Sequence, residues 1–118
     1  MTLVDTSVWV DHFRNANARL QILLRDDEVV MHPFIVGELA CGNLKNRQEI
    51  MRLLSNLPSI EVAQHAEVLS LIETNRLFGR GIGWIDVHLL AAALLTHASF
   101  WTLDKRLAST ALHLKIQK

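Results

Sequence analysis

Apolar residues recur along this chain with two different periods. Short runs of β-branched or apolar residues at Thr2–Val4, Glu28–Met31, Ile60–Ala63, Ser99–Leu103 and Leu114–Ile116 read as strands. Between them, apolar positions three and four apart predict helices over Ser7–Arg14, Ala16–Arg25, Pro33–Cys41, Lys45–Leu57, His65–Phe78, Trp84–Ala98 and Lys105–Leu112. Pro33 suits a first helical turn, Pro58 stops the helix closed by Leu54 and Leu57, and Gly42 and Gly79 suit left-handed positions just past a helix. Strands alternating with helices predict an α/β fold, a parallel sheet with right-handed crossovers and helices on both faces. In such sheets ligands bind outside the carboxyl ends of the strands. No internal repeat, low-complexity tract or Pro/Gly/Ser linker divides the sequence, so residues 1–118 are expected to form a single domain.

Composition narrows the chemistry. One cysteine, Cys41, excludes an internal disulfide framework and a cysteine-built zinc site. The opening MTLVDTSVWV lacks a basic run followed by an apolar core, and the nearly apolar Leu89–Leu95 is too short to cross a bilayer. A soluble, cytoplasmic protein with no membrane association is expected. Twelve Lys and Arg balance twelve Asp and Glu, which by itself disfavours a polyanionic partner. If four of the acids share one metal-loaded cleft, the remaining surface is basic.

Four acids stand in apolar surroundings, where an unpartnered carboxylate is costly and usually needs a cation. Asp5 ends the first strand in LVDTSVWVDHF and Asp104 ends a later one in FWTLDKRL, so both belong at the carboxyl edge of the sheet. Glu38, in HPFIVGELACG, has Phe34 and Ile35 one turn before it and Cys41 one turn after, and is expected to face inward. Asp86 shares a helical face with Leu89, Leu90 and Ala93 and is expected to point at the core. Taken singly, Asp5 and Asp104 also fit helix N-caps, and Glu38 and Asp86 also fit structural pairs with buried arginines. Converging at one sheet edge, four hard oxygen donors suit Mg²⁺ or Mn²⁺ rather than Zn²⁺.

Other chemistries find less support. Asp11, two turns beyond Asp5, reads as a solvated helix acid, and most of the six histidines read as surface or loop residues. Ser7 lacks the GxSxG context of a serine hydrolase, and Gly79, Gly81 and Gly83 lack the Walker ending of a phosphate loop. Those glycines read as a flexible lead-in to the Asp86 helix. Trp9, Trp84 and Trp101 read as core or base-stacking residues, with Trp9 and Trp101 assigned to the core.

In order and spacing these segments resemble the PIN-domain ribonucleases, specifically the VapC-type toxins of bacterial toxin–antitoxin pairs, over essentially the whole chain. LVDTSVWVDHF resembles the opening strand and first metal-binding Asp, here Asp5, followed by Thr6 and Ser7. GELACG resembles the motif carrying Glu38, GIGWIDVHLLAAAL the motif carrying Asp86, and WTLDKRL the motif carrying Thr102 and Asp104. Where some relatives have a further acid after the last motif, this chain has Leu107 and Ala108. The resemblance implies a three-layer α/β/α domain with strand order 3-2-1-4-5, counting the five strand candidates in sequence.

It also implies an endoribonuclease in which Asp5, Glu38, Asp86 and Asp104 hold one or two Mg²⁺ or Mn²⁺ ions. In a mechanism of that kind Thr6, Ser7 and Thr102 fit the orienting of a carboxylate, water or phosphate by hydrogen bonding, while Arg80, Lys105 and Arg106 flank two of the motifs and fit equally contacts to the RNA backbone or solvated positions near helix ends. The implied partners are RNA, an antitoxin protein that blocks the cleft, and a second copy of the chain in a homodimer. A phosphoacceptor receiver-like module has a similar length and layout, but Asp5 is followed by Thr6 and IEVAQH offers no phosphorylatable Asp. A catalytically idle fold that only binds RNA or a partner is disfavoured by the presence of all four acids.

Overall fold

Strand β1, Thr2–Val4, lies at the centre of the sheet, and all three of its side chains are buried, as a strand covered on both faces requires. A computed structural model describes residues Met1 to Lys118. β1 pairs in parallel with β2, Val29–Val30, through Thr2 opposite Val29, and with β3, Ser99–Trp101, through Leu3 opposite Phe100. The sheet order is β2-β1-β3. Single parallel bridges extend it at both edges, Met31 with Ser59 and Phe100 with Gln117. The five predicted strand positions therefore stand in the expected order 3-2-1-4-5, with the outer two reduced to one bridge each.

Neither outer segment forms a strand of its own, which corrects the reading of Ile60–Ala63 and Leu114–Ile116. Ile60 donates one backbone hydrogen bond to Met31 and then leaves the sheet, while Ala63 packs into a small second core with Val68, Leu77, Val87 and Ala91. The apolar character of that run reflects packing under helices rather than sheet pairing.

Seven helices complete the three layers: α1 Thr6–Asn15, α2 Ala18–Arg25, α3 Pro33–Ala40, α4 Arg47–Ser55, α5 His65–Asn75, α6 Trp84–Leu95 and α7 Lys105–His113. Pro33 occupies the first turn of α3 as expected, and His32 caps that helix by accepting from the Phe34 amide at 2.9 Å through Nδ1. Gly42 is not left-handed, and α5 stops at Asn75 because Arg76 takes the left-handed position (φ 52°). Gly79 (φ 71°) instead shapes the loop leading to α6. Pro58 lies beyond the end of α4 and gives its carbonyl to the Met31 amide, tying that turn to the sheet edge.

The main core joins Leu3, Val4 and Phe100 of the sheet to Val8 of α1, Ile35 of α3, Leu89 and Leu90 of α6, and Leu107 of α7. Val87 to Ala93 of α6 are all buried, and Ala91, Ala92 and Ala93 let its backbone approach its neighbours closely. Trp9 and Trp101 are buried as expected. No helix is long and apolar enough to cross a membrane.

Candidate active site

The parallel register brings the ends of β1 and β3 together, and the Asp5 amide donates to the Trp101 carbonyl at 2.9 Å. From that junction the chain turns into α1 on one side and, through Thr102 and Leu103, into α7 on the other. Asp5 is buried at the start of α1 but does not cap it. Its Oδ2 instead accepts from Ser7 Oγ at 2.8 Å and from Thr102 Oγ1 at 2.7 Å. Each hydroxyl has one proton, so both are committed to the same carboxylate oxygen. The two hydroxyls are themselves held by amides: Leu103 N donates to Ser7 Oγ at 3.0 Å and Asp104 N to Thr102 Oγ1 at 3.1 Å.

The other three acids follow the same rule. Asp104 is exposed and caps α7, its Oδ1 accepting from the Arg106 and Leu107 amides at 2.9 and 3.1 Å. Asp86, half-buried in the first turn of α6, accepts from the Gly83 amide through Oδ2 at 2.9 Å. Glu38 accepts from Thr6 Oγ1 through Oε1 at 2.9 Å. In each of the four, one oxygen is fixed by the protein, and none of the four enters a salt bridge. Asp5 Oδ1, Glu38 Oε2, Asp86 Oδ1 and Asp104 Oδ2 have no protein partner, an arrangement that aims one hard donor per residue while its neighbours hold it still.

Two expectations need correction. Glu38 is exposed rather than inward-facing, because Ile35 and Leu39 form the buried stripe of α3 and Glu38 stands beside it, restrained by Thr6. Asp86 lies at the margin of the core rather than within it. Burial pushes its pKa up, the Gly83 hydrogen bond opposes that, and the negative charges of Asp5 and Asp104 push it up further. Asp86 therefore feels the negative charges of two of the other acids. No three acidic, histidine or cysteine side chains come close enough together to hold a metal ion by themselves. The donor chemistry fits Mg²⁺ or Mn²⁺, whose coordination is completed by water and substrate oxygens.

Arg80, Lys105 and Arg106 form no ion pair. Arg106 lies across Gly81, where a Cβ would stand 2.7 Å from its Nη1, and Gly81 has φ 77°. The positive φ favours glycine there, and a Cβ would push the end of the Arg106 side chain aside. Asp11 lies within α1, and its Oδ2 accepts from Nδ2 of Asn17, the N-cap of α2.

Sequence reasoning passed over two buried histidines. His32 is fully buried and His88 nearly so, and they bracket Phe34 in a line of rings running His32, Phe34, His88, Trp84, His65, with successive centroids 4.7, 4.9, 4.8 and 5.1 Å apart. Burial pushes the His32 pKa down to about 4, with nearby His88 adding to the effect, and burial likewise lowers that of His88, with His65 contributing. Both are neutral at pH 7 and brace α3 against α6. The Gly83 amide was also passed over, although an acid three residues after a helix start is a legible capping signal.

A parallel sheet with acids after β1, on α3, in the first turn of α6 and at the N-cap of α7 fits the PIN class of α/β domain, and the chain belongs to that family. The PIN domain model matches residues 2–112. Among characterised proteins the chain is similar to Ribonuclease VapC32 of Mycobacterium tuberculosis, strains H37Rv and CDC 1551 / Oshkosh. It is 51% identical to each over 108 residues, covering 91% of this chain and 87% of the relative.

Proposed function

We propose that this chain, acting as one PIN domain over residues 1–118, is a metal-dependent endoribonuclease and the toxin of a type II toxin–antitoxin pair. The observation that carries the reading is the set of four carboxylates at one sheet edge, each with one oxygen fixed by the protein and the other free. The similarity to a protein named ribonuclease supports it. Asp5, Glu38, Asp86 and Asp104 would hold one or two Mg²⁺ or Mn²⁺ ions, which when bound supply an activated water and neutralise charge on the leaving oxygen.

The chain's own residues then have defined tasks. Ser7 and Thr102 hold Asp5 in place, Thr6 holds Glu38, and the Gly83 amide holds Asp86. Arg80, Lys105 and Arg106 are unpaired cations placed to receive RNA phosphates. His32 and His88 are buried and brace the helices, so neither serves as a base.

The same reading gives the protein an antitoxin partner, a homodimeric state and a cytoplasmic location beside its RNA substrate. Two apolar grooves support protein partners: one lined by Trp9, Phe13, Leu24, Ile50 and Leu53, the other by Leu71, Ala91, Leu94 and Leu95 between α5 and α6.

End-group analysis of cleaved RNA tests the chemistry. Attack by water with the 3′-oxygen as leaving group leaves 5′-phosphate and 3′-hydroxyl ends, the outcome this reading predicts. A 2′,3′-cyclic phosphate would show that the 2′-hydroxyl is the nucleophile and would overturn the carboxylate–metal mechanism.

A further inference from the structure

Glu38 has the weakest anchorage of the four acids. Asp5 follows a buried strand, Asp86 stands in the first turn of the largely buried α6, and Asp104 is the N-cap of α7. Glu38 instead lies in the last turn of α3, a helix of only eight residues, and its exposed side chain has one restraint, the Thr6 hydroxyl. So short a helix is unstable by itself, and fraying from its end would carry Glu38 away from Thr6. Whatever holds the end of α3 therefore decides where this carboxylate stands.

Packing holds little of it. Beyond α3, Asn43, Leu44, Lys45 and Asn46 line a cavity of about 560 Å³ shared with Val10 and Phe13 of α1, so this connection does not pack closely on that helix. Asn46 takes the left-handed conformation (φ 52°) and gives α4 no side-chain cap. Arg47, the first residue of α4, supplies the tie. Its guanidinium reaches back across the turn, Nη1 donating to the Gly42 carbonyl at 3.1 Å and Nη2 to the Ala40 carbonyl. The Gly37 and Leu39 carbonyls already accept from the Cys41 and Gly42 amides. The arginine thus satisfies carbonyls that the end of a helix leaves without partners. Positive charge is favourable there, and Arg47 forms no salt bridge that would draw it elsewhere.

We propose that Arg47 is a positioning residue for metal binding: by clamping the last turn of α3 to the start of α4, it keeps Glu38 where Thr6 can hold its carboxylate. It bonds to neither of them. The proposal rests on the reading of Glu38 as a ligand of the Mg²⁺ or Mn²⁺ ion.

Mn²⁺ binding to the full chain without RNA, read from the electron paramagnetic resonance signal of the free ion, tests it. Arg47→Met should raise the Mn²⁺ dissociation constant about 3- to 10-fold, less than the roughly 10- to 100-fold expected for groups bonded directly to a metal ligand. Arg47→Lys, which can still donate to one carbonyl, should recover part of the loss, and it carries the same test if Arg47→Met fails to fold. The effect should act through Glu38 alone. Glu38→Gln weakens binding by itself, and adding either Arg47 substitution to it should cost nothing more. An arginine with a general structural role would weaken the wild type and Glu38→Gln alike. That result, or unchanged affinity in Arg47→Met, would overturn the proposal. A wild type that binds no Mn²⁺, or a Glu38→Gln variant that binds it as tightly as the wild type, would overturn the reading of Glu38 beneath it, and neither of those measurements involves Arg47.

Discussion

The hydroxyl of Thr102 donates to Oδ2 of Asp5 at 2.7 Å, joining residues 97 positions apart in sequence. The bond exists because β1 and β3 pair in parallel and end at the same level, so the residue after each strand meets the other across the switch point. Ser7 reaches the same oxygen from the first turn of α1. The carboxylate is thereby ordered before any cation arrives, and the order comes from the sheet register rather than from local sequence.

Thr102→Val keeps the shape of the side chain and removes both its donor to Asp5 and its acceptor for the Asp104 amide. A loss of about 1–3 kcal/mol in stability follows from the unsatisfied groups. A drop of roughly 10- to 100-fold in metal affinity or activity follows from releasing Asp5. Thr102→Ser should recover most of both. Mg²⁺ titrations monitored by thermal melting, alongside initial cleavage rates, check the pair.

Asp86→Asn tests the electrostatics. The repulsion from Asp5 and Asp104 that raises the Asp86 pKa destabilises the ionised, metal-free site, so neutralising this residue should raise the metal-free melting temperature at pH 7. The Gly83 hydrogen bond can survive, because an amide oxygen also accepts. Added Mg²⁺ should stabilise the wild type and leave Asp86→Asn unchanged. A variant that melts lower than the wild type without metal, or gains as much from Mg²⁺, would contradict this.

His32 predicts an acid limb in stability. Its folded pKa is about 4 against 6.5 in the unfolded chain, so the unfolded state binds the proton first as pH falls. The stabilisation is fully present above pH 6.5 and is lost progressively down to pH 4, with about 2 kcal/mol lost between pH 7 and pH 5. That corresponds to a fall on the order of 10 °C in melting temperature. His88 acts in the same direction. His32→Asn, which keeps an acceptor at the cap of α3, should melt lower at pH 7 but show a flatter slope over this window.

Gly81→Ala should displace Arg106. The new methyl would occupy the position now within 2.8 Å of Arg106 Cδ, and φ 77° strains any residue with a Cβ. A cost of roughly 1 kcal/mol in stability is expected. RNA affinity should fall to that of Arg106→Ala, with no further loss in the double variant. Additive losses would place the two residues in separate roles.

Each of the four acids stood out because it broke an apolar pattern at a strand end or on a helix stripe; the alternation of strand and helix segments indicated a parallel sheet, and its order came from the resemblance to the PIN-domain ribonucleases. What the pattern hid has a physical reason in each case. Ile60 and Ala63 are apolar because they are buried, Ala63 against α5 and α6, and burial gives the same signature whether or not a strand forms. Glu38 sits only 100° from Leu39 on α3, too small a rotation for spacing alone to separate an inward side chain from a flanking one. Asp104 was read as either cap or ligand, and it caps α7 with one oxygen while the other stays free. The burial of His32 was invisible because its neighbour Pro33 marks a boundary where exposed residues are the norm, while Phe34 and His88 that cover it come from α3 and distant α6.

The most direct test of the central claim is cleavage of a panel of structured and single-stranded RNAs by antitoxin-free protein, with Mn²⁺ or Mg²⁺ and with EDTA, beside Asp5→Asn. The account predicts cutting that requires the metal and disappears in both EDTA and the Asp5→Asn variant while the variant remains folded. Cutting that survives chelation and the loss of this carboxylate would contradict it.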